Sequence, residues 1–132
     1  MLVEGHGLPI AVVVARANEN DGPLLEATLR ARLVGRQRGA HLCLDAGYDS
    51  KVTRALLRRF RIRPHIRSRR QESDEKRHAG AKARRWVVER CHSWMNRYRR
   101  LLIRWEKHAD TYLGMIQLAC ASICFQQSGL FG

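Results

Sequence analysis

"AHLCLDAGYDSKVTRALLRRFRIRPHI", Ala40 to Ile66, is the stretch on which the fold turns. It opens on a short apolar run, "HLCL", that stops at Asp45 and Gly47, as a strand does when turn-forming residues follow it. "SKVTRALLRRF" then reads as a helix capped by Asp49 or Ser50, with Val52, Leu56 and Phe60 at helical spacing. "IRPHI" is a second short strand, and Pro64, which has no amide hydrogen, assigns it to an edge. Strands alternating with helices mark an α/β domain.

The flanking segments extend that pattern. Upstream, "LVEGHGLPIAVVVARA" reads as two strands around a Gly-His-Gly turn, which makes the sheet a mixed one, and Val12–Val14 form a β-branched run suited to a strand covered on both faces. "NDGPLLEATLRARL" starts a helix at Asp21 or Gly22, with Pro23 in its first turn and Leu25, Leu29 and Leu33 as its buried stripe. Downstream, residues 68–83 hold almost nothing apolar and read as a loop. From Arg84 onward, Val87, Cys91, Trp94, Tyr98, Leu101 and Trp105 step by four, three, four, three and four, the signature of one long amphipathic helix. A last apolar segment, Tyr112 to Phe125, is expected to pack a final helix onto the domain.

The 132 residues suffice for one domain with a modest core. The charge is lopsided. With 25 Lys and Arg against 12 Asp and Glu, the chain is formally +13. Residues 1–50 carry five basic and six acidic side chains, whereas residues 51–132 carry twenty and six. Such a half points to a polyanionic partner, most often nucleic acid. Cys43, Cys91, Cys120 and Cys124 have neither a CxxC pair nor zinc spacing, so buried, reduced thiols of a cytoplasmic protein are expected. No apolar run reaches the length of a membrane span.

Two acids stand out. Asp45 ends an apolar strand, and ligands of open α/β sheets gather outside strand carboxyl ends. It could equally cap a turn. Glu89 lies about 200° around the helix from Val87, on a polar face shared with Arg85, His92, Ser93 and Asn96. It could equally be a surface ion-pair partner of Arg85 or Arg90. Taken together, a strand-end Asp and a helical Glu in a basic half-domain suit phosphoryl transfer assisted by divalent metal, either Mg²⁺ or Mn²⁺.

"LDAGYDS" and "RRWVVERCHSWMNRYRRLLIRWEKHADTYLGMIQLACASICF" resemble the catalytic domain of bacterial insertion-sequence transposases of the DDE type, and "GHGLPIAVVVARANENDGPLLEATL" is similar to the part before it. The resemblance implies an RNase H-like mixed sheet flanked by helices over residues 1–126, with 127–132 a C-terminal tail. It implies metal-dependent cleavage and transfer of DNA strands, with Asp45 as the second catalytic Asp and Glu89 as the catalytic Glu, both binding metal. Arg85 matches the family's arginine four residues before that Glu, and Arg90, Arg97 and Arg100 are expected on the DNA-facing surface. Lys82 stands where the family has tyrosine, and Asn96 where it commonly has lysine.

The family's first Asp lies on a strand upstream of the opening hairpin, so the chain is expected to lack that first strand and not to transpose alone. Glu4, beside the hairpin turn, is not expected to replace it. Expected partners are DNA and either further copies of the chain or an intact transposase. The alternative reading is a non-catalytic DNA-binding remnant or a regulator of an intact transposase.

Overall fold

A computed structural model describes residues 1–32, 35, 39–66 and 85–129. The expected loop over 68–83, with Lys82, and the core position Leu33 lie outside the described residues. The order is β1 (Leu2–Val3), β2 (Pro9–Ala11), α1 (Asp21–Arg30), β3 (His41–Leu44), a 3₁₀ turn (Ala46–Tyr48), α2 (Lys51–Arg59), β4 (Arg63–Ile66), α3 (Arg85–Met95), α4 (Arg99–Leu102) and α5 (Ala109–Gln127). The class is mixed α/β, as the alternation implied.

Among the described residues the strands form two separate pairs. β1 and β2 are antiparallel, with Leu2 opposite Ala11 and Val3 opposite Pro9. β3 and β4 are parallel, with His41 opposite Arg63 and Leu44 opposite Ile66. The Val12–Val14 run is not a strand. Among the described residues the ladder ends with Leu2 opposite Ala11.

The βα unit at the centre follows from its caps and its alternation. Ser50 caps α2, its hydroxyl accepting from the Thr53 amide at 3.0 Å. Asp49 instead receives the Arg54 guanidinium at 2.8 Å. The buried stripe of α2 is one position later than its apolar spacing suggested. Leu57 is 0% exposed and Thr53 is buried, whereas Val52 is 80% exposed. Leu56 and Phe60 flank the core rather than centre it. On β3, Leu42 and Leu44 turn inward and His41 and Cys43 outward, so Cys43 is exposed. The period of two decides this, because the run is too short to be covered on both faces.

One core joins Leu25 and Leu29 of α1 to Leu57 and Ile62, with Leu2, Leu42, Leu44 and Tyr48 packed against it. The second buried surface belongs to α3 and α5, where Val87, Cys91, Ile116, Ala119 and Ile123 are covered. The long helix expected from Arg84 to Trp105 is interrupted. The Asn96 amide still reaches His92, but those of Arg97 and Tyr98 fall back on the carbonyls three residues earlier. Asn competes with the helical backbone for hydrogen bonds, and the last turn tightens and stops there. The apolar stripe therefore loses its register, and Trp105 is 73% exposed instead of buried.

Leu57→Ala is expected to cost about 2–5 kcal/mol of stability in urea melts, and Ser50→Ala about 1 kcal/mol. Burial, with Cys120 and Cys124 close by, pushes the Cys91 thiol up to about 11. In the native chain at about pH 8 a thiol reagent should therefore modify Cys43 quickly, and Cys91 only on unfolding.

Candidate functional site

Asp45 and Glu89 stand on different elements. Asp45 immediately follows β3 and stands at the N-cap of the 3₁₀ turn. The backbone makes that cap, since the Tyr48 amide donates to the Asp45 carbonyl at 3.0 Å and the side chain accepts no capping hydrogen bond. Asp45 therefore does cap a turn, as its position allowed, and does so through its backbone. Both carboxylates are exposed.

Glu89 sits on the outer face of α3, because Val87 and Cys91 hold the opposite face in the core. Arg90, its neighbour, lies over two indoles, 4.8 Å from the Trp86 ring and 5.8 Å from Trp94. Among the described residues no ion pair joins Arg90 to Glu89. The backbone of Arg85 opens α3, and its side chain falls outside what the structure describes.

Between the two strand pairs lies a cavity of about 310 Å³. Met1 to Gly5, His41 to Leu44, Leu25 and Leu29 of α1, and Val87 and Val88 of α3 contribute to its walls. Leu44 and Val88, the residues directly before Asp45 and Glu89, are both among them. Among the described residues each of β1 and β3 has a ladder partner on one side only.

Glu4 also borders the cavity, but its carboxylate is occupied by the hairpin turn. One oxygen accepts from the His6 amide at 2.7 Å and the Leu8 amide at 3.1 Å, and the other meets the His6 ring nitrogen at 2.9 Å. Burial opposes ionisation here, yet the Leu8 and His6 hydrogen bonds outweigh it and hold the carboxyl below its usual range. Glu4 is a turn residue.

The remaining expected arginines differ in freedom. Arg97 is exposed. Arg100 donates from Nε to Glu106 Oε1 at 2.9 Å, so its charge is shared with a nearly buried acid that sequence reading had not singled out. Glu106 follows directly on the misplaced end of the apolar stripe, and nothing in its spacing marks it as buried.

Two carboxylates suit an ion such as Mg²⁺, which takes one or two from protein and the rest of its ligands from water and phosphate. Among the described residues no group of three or more His, Cys, Asp or Glu side chains gathers as a metal cluster.

Residues 42–126 match a family described as transposase DDE domain. Over 134 aligned positions the chain is 37% identical to a protein from Burkholderia cepacia named as a candidate transposase for insertion sequence element IS402. That alignment takes in 95% of the chain, which spans 61% of the relative's length. No solved structure matches the chain. Among the described residues no helix is long and apolar enough to cross a membrane.

The position of α3, and with it Glu89, depends on Gly7. Its φ is +96°, and a Cβ there would come within 3.2 Å of the Val87 carbonyl oxygen and 3.3 Å of Arg90 Cδ. Gly7→Ala combines a left-handed backbone with that clash, so it should lower stability by about 1–3 kcal/mol in denaturant melts.

Proposed function

The chain belongs to the transposase DDE-domain family, and we propose that its Asp45 and Glu89 are metal-binding acids of a DNA strand-cleavage and strand-transfer site. One observation carries this reading. The residues preceding the two acids, Leu44 on a strand end and Val88 on a helix, line a single cavity. This supports the reading only through the two elements, the strand before Asp45 and the helix that carries Glu89, which border the same space.

The finer fold reading is an RNase H-like mixed sheet in which one more strand would lie between the hairpin and the parallel pair. Its support is the same cavity, bordered by β1 and β3, each of which has one ladder partner among the described residues. A strand placed there would pair with both edges and would be flanked by α1 and α3.

Asp45 and Glu89 would hold Mg²⁺ or Mn²⁺. When bound, such an ion neutralises phosphate charge and stabilises the oxygens of an in-line displacement. The chain's own arginines attract and orient the DNA backbone. Arg90 is steadied by two indole faces, and Arg100 by Glu106, while a guanidinium has five donors and so keeps others for phosphate. Arg97 and Arg85 complete the basic face in this reading, with DNA as the substrate.

Electron paramagnetic resonance of Mn²⁺ with the full chain tests the shared ion. Asp45→Ala and Glu89→Ala should each weaken Mn²⁺ binding by roughly an order of magnitude or more. In metal-free buffer the same variants should hold DNA as well as or better than the parent, since each removes a charge that repels phosphate. Undiminished Mn²⁺ binding in both variants would sink the metal site and leave a DNA-binding chain. If six to ten phosphates are contacted, DNA affinity should fall about 10³- to 10⁵-fold between about 50 and about 200 mM salt.

A further inference from the structure

The segment after the helix break is built inside out. Leu102, Ile103 and Trp105 are 59%, 60% and 73% exposed, while the Glu106 side chain beside them turns inward and exposed arginines brace it and the backbone. Arg100 Nε donates to Glu106 Oε1 at 2.9 Å, and the Glu106 side chain is only 4% exposed. Arg104 Nε donates to the Glu106 carbonyl at 3.2 Å, and its guanidinium lies 5.2 Å from the Tyr112 ring centre. The Tyr112 hydroxyl closes the knot by donating to the Leu101 carbonyl at 3.1 Å. Glu106 Oε2 is buried with no hydrogen-bond partner. The Arg100 hydrogen bond, helped by the Glu106 and Trp105 amides, outweighs burial and holds this carboxyl below its usual range, and what the brace presents is an aromatic tip held out in water.

We propose that this tip is a stacking platform for an unpaired DNA base, with Trp105 as its contact surface. The inference rests on the reading of DNA as substrate and adds the form of DNA engaged. Charge selects the occupant. Between Arg97 and His108 the chain carries Arg97, Arg99, Arg100, Arg104 and Lys107 against the single acid Glu106. A second copy would bring another formal +13 against it, whereas a nucleic acid brings phosphates for the cations and a flat π-face for the indole. Aromatic stacking within a basic surface is how proteins hold single strands with little regard to sequence. Leu102 and Ile103 would cover the edges of the stacked base.

The experiment compares the full chain with Trp105→Ala, Trp105→Phe and Arg104→Ala. The probes are a blunt duplex, the same duplex with a short single-stranded overhang containing 2-aminopurine, and vesicles of anionic phospholipid. The parent is expected to prefer the overhang DNA and to quench the 2-aminopurine. Trp105→Ala should lose roughly tenfold in overhang affinity together with the quench, with blunt-duplex affinity and the salt slope unchanged, because stacking releases no counterions. Trp105→Phe should recover most of both signals, and Arg104→Ala should weaken them by loosening the brace. If Trp105→Ala matches the parent on overhang DNA while both bind duplex, the platform is overturned and the DNA reading stands. If the parent binds neither DNA, the DNA reading falls and takes the platform with it. A parent that binds the vesicles more tightly than the overhang DNA, and loses that binding in Trp105→Ala, would make the tip a membrane contact and overturn the proposal.

Discussion

Two strands, Leu2–Val3 and His41–Leu44, border one cavity without pairing with each other, and much of the molecule's organisation follows from that gap. A strand edge carries backbone donors and acceptors that must find partners or water. Here the first pair meets the core of the second through packing: Leu2 reaches the cluster formed by Leu25, Leu29, Leu57 and Ile62. Burial of apolar surface, rather than a continuous hydrogen-bonded ladder, fixes how the two halves sit. That kind of attachment is non-directional, so the helices on either side must supply the orientation.

α3 supplies much of it. Its inner face is pinned by Val87 and by Cys91, whose thiol lies 3.8 Å from the Met1 sulfur. Gly7 lets the hairpin turn approach the Val87 carbonyl more closely than a side chain would allow. α5 backs the arrangement: Ile116, Ala119 and Ile123 are buried along it, and the Cys124 thiol reaches the Pro9 carbonyl at 3.7 Å. The outward direction of Glu89 is a consequence of these contacts, because a helix held by residues 87 and 91 presents residue 89 on its far side.

Sequence reading reached the parts of this arrangement that local chemistry decides. The strand that stops before Asp45, the serine cap of α2, the Leu25–Leu29 stripe and the outward face of Glu89 each depend on residues within a turn or two. The failures have one character. Val12–Val14 have strand propensity but, among the described residues, no partner in register, and propensity without a partner makes no ladder. Trp105 has helical spacing from Val87, but the spacing carries meaning only while the helix continues, and it ends near Asn96. Val52 and Cys43 are apolar in sequence, yet the faces that get covered were chosen by Leu57 and by Leu42 with Leu44. In each case the deciding fact is which neighbour is present across space, and a single sequence holds no record of that. The RNase H-like topology belongs to the same class of question, since it concerns how the two strand pairs are joined.

The acids of the chain divide by what they do with arginine. Glu26 receives Arg30 at 2.6 Å and Arg59 at 3.6 Å, Asp49 receives Arg54, and Glu106 receives Arg100. Glu89 lies in the most arginine-rich part of the sequence, where chance alone would favour pairing, yet its sequence neighbour Arg90 is drawn to two indole rings. A guanidinium stacked on aromatic faces gains attraction without needing a carboxylate. The arrangement keeps strong positive charge close to Glu89, which favours the approach of phosphate, without Arg90 occupying the carboxylate's oxygens. If those oxygens are ligands for a cation, the Trp86–Arg90–Trp94 stack keeps one competitor, Arg90, away. The specificity of the site would then depend as much on two tryptophans as on the acid itself.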